Sequence, residues 1–351
     1  MLNLNFSKIL IFISISLHTS LVSSDSENLY YKNVIFEQQL IHTITVNPLK
    51  YRIINSSAVE ATNNNIDSLS RIARKSNALA AINGGFFRAV DNNLFVPAGS
   101  LKIANIWHGI AYQARGAIGW SKDGDLVLID RLKTKTVVQI GNLTLPVHYF
   151  NPSYNGYNDK YINSKALLYS SIYPNFFNLN TKYPNILIKQ NEELAYIYQA
   201  EKSTIKQAIE ALRFNAANLL VKVIPQLKPE EQDLWQKVDF ITSGAPVLIK
   251  NYQPISNYLP EKISYDFING LHQRTAVCIL ENGFWKFIVT SSGMTIPTLI
   301  DVAQSLQCKD AINLDGGSSS SMYLSKFFIK AVPDFTYNMN AITDAILILS
   351  E

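Results

Sequence analysis

The chain has 351 residues, 47% of them hydrophobic and 17% charged, with a formal charge of +4 and a pI near 8.8. That apolar share excludes an intrinsically disordered chain, and the length allows one large domain or two ordinary ones. The mild basicity suits an anionic substrate, while the lack of any Lys/Arg cluster argues against a nucleic-acid partner.

In chain order, Lys8 precedes a short apolar run, Ile9 to Leu17, and small residues follow through Ser24. The run is too short for a spanning helix of about 20 residues. With Val22 and Ser24 it predicts a signal peptide over residues 1–24 and a mature chain from Asp25. The expected location is secreted or periplasmic, with no stable membrane span after cleavage; an uncleaved anchor is the alternative. Asn33 to Ile54 alternates in part and predicts strands. Ile66, Leu69, Ile72 and Ala73 recur at helical spacing. Ala80-Ala81-Ile82-Asn83-Gly84-Gly85 then reads as a strand ending in a turn. Ala117 to Ile129 predicts a hairpin about Asp123-Gly124.

Residues 148–185 change character and predict a variable Tyr/Asn-rich insertion. Its Tyr149, Tyr154, Tyr157 and Tyr161 can stack on sugar rings or simply pack a loop. Ser203 is the expected cap of a helix with Ile205, Ala208, Ile209 and Leu212 inward. A strand over Leu219 to Ile224, a polar helix over Lys228 to Lys237, and a strand, Ser243-Gly244 turn and strand through Lys250 follow. Arg274 to Thr290 predicts a hairpin about Gly283. Thr295 should cap a helix carrying Ile296, Leu299, Ile300, Ala303 and Leu306, with Pro297 in its first turn. A last strand, Ala341 to Leu349, closes an α+β fold. Residues 25–351 are expected to form one domain of mixed, largely antiparallel sheets with helices packed on them.

Cys278 and Cys308 are the two cysteines, and either a disulfide or two buried thiols fits them. The five histidines show no ligand spacing, so no metal site or cofactor is expected; a structural calcium ion stays open.

The stretch that organises the chain is Ala311-Ile312-Asn313-Leu314-Asp315-Gly316-Gly317-Ser318-Ser319-Ser320-Ser321. An apolar strand breaks there into an acid, two glycines and a run of serines. The glycines admit close backbone approach. Consecutive N–H groups over Gly316 to Ser320 can form an anion-binding nest. Asn83-Gly84-Gly85 repeats the pattern after its own helix. Two helix–strand–Gly-Gly units far apart in sequence are expected to bring their turns to one place.

Four motifs, Asn83-Gly84-Gly85-Phe86-Phe87, Gly244-Ala245-Pro246-Val247-Leu248, His272-Gln273-Arg274-Thr275-Ala276 and Asn313-Leu314-Asp315-Gly316-Gly317, together resemble the phosphodiester glycosidase family. That family includes N-acetylglucosamine-1-phosphodiester alpha-N-acetylglucosaminidases and bacterial exopolysaccharide-associated proteins. The likeness runs from about Asn83 to Leu349 and is poorest over His148 to Lys237. Gln273 stands where the family commonly has proline, Ser318 where it often has a third glycine, Ser321 where it has threonine, and Cys278 where glycine is frequent.

The resemblance implies a carbohydrate phosphodiester substrate and release of the sugar from the phosphate. Arg274 then suits a phosphate clamp, because guanidinium binds phosphate bidentately. Asp315 or His272 would be the base, and Asn83 would orient the water or a sugar hydroxyl. Thr275, Gly84, Gly85, Gly244, Asn313, Gly316, Gly317, Ser318, Ser319 and Ser320 would contact substrate. No second acid stands in the motifs, although Asp91, Asp239 and Asp266 lie near them. An exported polysaccharide-binding or assembly factor without turnover is the alternative, and a metal-dependent phosphodiesterase is disfavoured.

Overall fold

The computed structural model describes residues 27–91, 94–152, 165–173, 184–192, 194–215, 219–326, 335–337 and 340–351. The expected signal peptide and Tyr154, Tyr157 and Tyr161 lie outside the described residues.

The fold is α+β and built from mostly antiparallel sheets. Three units organise it, each a helix, a strand and a glycine turn. In the first, helix α1 (Leu69–Lys75) leads into strand β1 (Ala80–Asn83) and Gly84-Gly85. In the second, α2 (Pro229–Lys237) leads into β2 (Phe240–Ser243) and Gly244. In the third, α3 (Ile296–Ser305) leads into β3 (Asp310–Asn313) and the Asp315-Gly316-Gly317 turn. Leu69, Ile72 and Ala73 of α1 are buried, as are Ile296, Leu299, Ile300 and Ala303 of α3. The Thr295 side chain accepts from the Thr298 N–H at 3.2 Å, so α3 starts where its cap residue predicts.

Each strand belongs to a different sheet. β1 is the middle of five strands, between Met322–Leu324 and Asp344–Leu349. β2 is the middle of another five, between Arg115–Trp120 and Leu101–Ile103. β3 lies in a seven-stranded sheet between Thr275–Ile279 and Val247–Lys250. Ile82, Ile118, Trp120, Phe240, Ile312, Trp285 and Ile346 join these sheets in one core. The three turns leave their sheets toward one another.

Both expected hairpins form. Arg115–Trp120 pairs with Val127–Leu132, with Gly124 at φ +74°, and Thr275–Ile279 pairs with Trp285–Thr290, with Gly283 at φ +80°. Such φ values suit glycine. A separate apolar cluster holds Val138, Phe150, Leu168, Tyr196, Tyr198, Ile205 and Ala208. It includes strands Tyr149–Phe150 and Leu167–Ser170 from the Tyr/Asn-rich stretch and Asn185–Lys189, which begins where that stretch ends. The helix there spans Lys202–Asn215, so Ser203 lies inside it, and the Ser203 hydroxyl donates to Glu201 at 2.6 Å. Ile209 is 47% exposed rather than inward, because the helix docks through Ile205, Ala208 and Leu212, whose shared direction leaves Ile209 at the edge of the buried face.

Cys278 and Cys308 form a disulfide with a Cα–Cα distance of 5.4 Å, tying Thr275–Ile279 to the segment after α3. No described helix is long and apolar enough to cross a membrane.

Candidate active site

The three turns interlock without spare room. A Cβ on Gly244 would meet the Asn313 carbonyl oxygen at 2.0 Å, and one on Gly85 would meet that of Ser243 at 2.5 Å. Contacts this short do not occur, so glycine is required at both. The Asp315 N–H donates to the Gly84 carbonyl at 3.3 Å, and the Ala245 N–H to the Asn313 carbonyl at 2.8 Å. Two turns foreseen from the Gly-Gly repeat do meet, and a third, Ser243-Gly244, completes the ring.

Asn83 is fully buried and holds the turns together. Its Nδ2 donates to the Asp315 carbonyl at 2.8 Å. Its Oδ1 accepts from the Thr275 hydroxyl at 2.8 Å and the Ser321 N–H at 3.0 Å. Thr275 is equally buried. Asn313 Nδ2 donates to the Ala245 and Leu314 carbonyls at 2.6 and 2.8 Å, while its buried Oδ1 has no partner.

Gly316 donates its N–H to Asp315 Oδ1 at 2.9 Å, and Gly317, at φ +61°, donates to the Gln273 carbonyl at 2.7 Å. The Ser319 and Ser320 N–H groups donate to Gly316 and Gly317. These four amides are therefore engaged by protein oxygens, three within the turn and one on Gln273, rather than left open as an anion nest. Ser318 is exposed and its carbonyl accepts from Asn340, whereas Ser319 and Ser320 are buried.

Arg274 is completely buried. Its Nε donates to the Met294 carbonyl at 2.9 Å, and its Nη2 to the Phe267 and Gly270 carbonyls at 2.8 and 2.9 Å. Its guanidinium lies 4.9 Å from the Phe267 ring centroid. Only Nη1 has no partner, and burial lowers the guanidinium pKa to about 10. His272 is exposed, on the loop bridged to Met294.

Beside the turns lies a cavity of about 440 Å³, in the usual range for ligand pockets. Phe86, Gly99, Ser243, Gly244 and Phe267 line it, and Phe86 and Phe267 meet edge-to-face with centroids 5.8 Å apart. Its cationic lining residues are Arg115 and Lys262. Glu261, buried between them, accepts from the Gly116 and Val247 N–H groups and from Arg131. Arg115 Nη1 donates to the Glu261 carbonyl at 2.8 Å, which orients it at the rim.

Residues 171–349, just over half of the chain, match the model of the family described as phosphodiester glycosidase. The chain belongs to the phosphodiester glycosidase family. Solved structures share its fold. A hypothetical protein from Synechocystis has a TM-score of 0.67 at 19% identity, covering 92% of this chain and 62% of its own. A protein of Burkholderia pseudomallei described as exported has a TM-score of 0.64 at 15% identity, covering 89% and 74%. The catalytic domain of zebrafish N-acetylglucosamine-1-phosphodiester alpha-N-acetylglucosaminidase has a TM-score of 0.47 at 12% identity, covering 92% and 83%. A comparison with curated proteins returned no match.

In this phosphodiester glycosidase-family chain a second acid faces the first. Asp344 is buried, 2% exposed, at the start of the strand beside β1. Its Oδ2 accepts from the Gly85 N–H at 3.1 Å, and its Oδ1 from the Thr343 hydroxyl at 2.9 Å. A Cβ on Gly84 would meet Asp344 Oδ2 at 1.9 Å. Gly84 thus lies between the two acids, hydrogen-bonded to the backbone of both. Burial raises the Asp344 carboxyl to about 6 against the pull of its two donors. Burial also raises the half-exposed Asp315 to about 6; Ser319 and Gly316 oppose this, and the charge of Asp344 adds to it.

Two of the acids suggested by sequence proximity lie at the surface, away from the pair. Asp239 accepts from Asn105 and the Lys122 N–H in an exposed turn, and Asp266 is exposed on a short helix. The side chain of Asp91 lies outside the described residues. The signal for Asp344 was present: it is a lone carboxylate opening the apolar run Ala345-Ile346-Leu347-Ile348-Leu349. A charge in such a run is costly unless a site uses it. Among the described residues no group of three or more His, Cys, Asp or Glu is placed to hold a metal.

Proposed function

We propose that the chain is an exported hydrolase that releases a sugar from a sugar-1-phosphodiester. The observation that carries this reading is the pair Asp315 and Asp344 about Gly84, both raised to about 6; neither acid lines the cationic-rimmed cavity itself, but Phe86, two residues on from Gly84, does. Family membership supports the same bond class.

Water attacks the anomeric carbon as the bond from that carbon to the phosphate oxygen breaks. The water proton passes to the Asp315 carboxylate, and the phosphate monoester leaves with the bonding electron pair. A pKa near 6 keeps Asp315 ionised yet basic at neutral pH, as a general base requires. Its charge also stabilises oxocarbenium-like character at the sugar. Asp344, held by Gly85 and Thr343, keeps Asp315 proton-hungry. The phosphate meets Arg115 and Lys262, with the Arg274 Nη1 as the part of that side chain left for an oxygen. The sugar packs against the surface that Phe86 and Phe267 form together. His272 remains the competing base, and the Cys278–Cys308 bond fits an oxidising compartment.

The test is release of free sugar from a synthetic sugar-1-phosphodiester by the parent and by Asp315→Asn, with and without chelator. Turnover by the parent that chelator leaves intact and Asp315→Asn abolishes supports the reading. Binding without release by the parent supports a carbohydrate-binding or assembly factor instead.

A further inference from the structure

A second cavity, of about 320 Å³, adjoins the first, and Ala98 lines both. Nothing in the hydrolytic scheme uses it. Its wall includes Arg88, His108, Tyr112, Tyr149, Phe150 and Asn151. Asn151 is 1% exposed, and its Oδ1 accepts from the Ser170 N–H at 2.8 Å. Its Nδ2 has no partner. An unpaired buried amide donor is costly, so a ligand oxygen that accepts from it regains that energy. Asn151 is moreover held at φ +44°, a region L-residues seldom occupy. His108, also 1% exposed, sets Nε2 3.2 Å from Glu60 Oε1 and leaves Nδ1 without a partner.

The lining selects among ligand classes. Arg88 is the one Arg or Lys among the described lining residues, and it is exposed. Glu60 sits against His108, so the interior carries no surplus positive charge for an anion. Three aromatic rings and a fixed amide donor instead match a ring with apolar C–H faces and hydroxyl edges.

We propose that this cavity is a second saccharide subsite that holds a neutral sugar next to the one released, so that the substrate is the end of an oligosaccharide. The proposal rests on the hydrolase reading above for its context, but its test needs no turnover. Saturation-transfer NMR on the full chain would titrate glucose, galactose and N-acetylglucosamine, with inorganic phosphate as the anion control. At least one sugar should bind, and Asn151→Ala and Tyr112→Ala should each weaken it about tenfold. Tyr112 is 37% exposed, so its variant tests the site even if loss of Asn151 disturbs folding. No binding by any of the three sugars, equal binding by Tyr112→Ala, or displacement of the sugar by phosphate overturns the proposal. A chain that turns over a phosphodiester but shows one of these outcomes loses only the subsite. A chain that never turns over but shows the expected weakening loses only the hydrolase reading.

Discussion

The Asn83 side chain and the Asp315 backbone, 232 residues apart in sequence, are joined by a 2.8 Å hydrogen bond from Nδ2 to the carbonyl oxygen. The same side chain accepts from Thr275 and Ser321, so one amide fixes three segments at the base of the candidate site.

Asn83→Ala should therefore act first on stability. It leaves two donors and an acceptor unpaired, at about 1–3 kcal/mol each, for a loss of about 3 kcal/mol or more. Urea unfolding measures this. A variant that melts like the parent yet is inactive would show that Asn83 works on the substrate instead.

Asp315→Asn should lower kcat by roughly 10² to 10⁴ while the chain stays folded. Steady-state kinetics on a sugar-1-phosphodiester, with thermal melting as the control, decides it. Normal turnover by this variant together with a dead His272→Ala would move the base to His272.

The acid pair also sets a pH dependence. Both carboxyls are raised from 3.8 to about 6 in the folded chain. Between these values the folded state holds more protons than the unfolded state. Their contribution to stability is then fully present below about pH 4, declines as pH rises to 6, and is flat above. Melting from pH 4 to 8 should show this decline, and Asp344→Asn should make its slope shallower. The rate on substrate should rise over the same window as Asp315 ionises. A parent whose melting temperature falls no more steeply from pH 4 to 6 than the variant's would remove the raised pKa from the mechanism.

Arg274 and Lys262 should separate structure from binding. Arg274→Lys cannot serve three carbonyls with a planar fork, so it should cost about 3 kcal/mol in urea. Lys262→Ala, at an exposed position, should leave the melting temperature within a degree or two and raise KM for a phosphodiester about tenfold. An unchanged KM would take Lys262 out of phosphate binding.

The Cys278–Cys308 bond closes a separation of 30 residues. Loop-closure entropy makes its loss worth about 3–4 kcal/mol. Reductant should lower the urea midpoint accordingly, and an unchanged midpoint would mean that this bond does not constrain the unfolded chain.

The parts of the fold legible in the sequence share a physical cause. The helix at Ile296 announces itself through Thr295 and Pro297, and the hairpins through Gly124 and Gly283, because caps and turns depend on neighbouring residues alone. The meeting of Asn83-Gly84-Gly85 with Asp315-Gly316-Gly317 was legible because both carry one local pattern. Ser243-Gly244 does not stand out in the sequence as a third unit, because its helix, Pro229–Lys237, is polar and its turn lacks the second glycine. Asp344, Arg115 and Lys262 reach the site only through pairing between strands and loops distant in sequence. Arg274 shows the converse: its motif points to a phosphate, while its surroundings, read only in three dimensions, occupy two of its three nitrogens with carbonyls.

The Gly85–Asp344 hydrogen bond spans 259 residues. During synthesis, which runs from the N-terminus, Gly85 emerges long before the strand that brings Asp344. Contacts of such separation also form slowly, because the loop must close before they contribute. A nascent chain that has made the first two turns therefore lacks both acids, and one that has made all three still lacks Asp344. On the hydrolase reading, competence is then a property of the finished molecule, and partly made chains stay chemically silent.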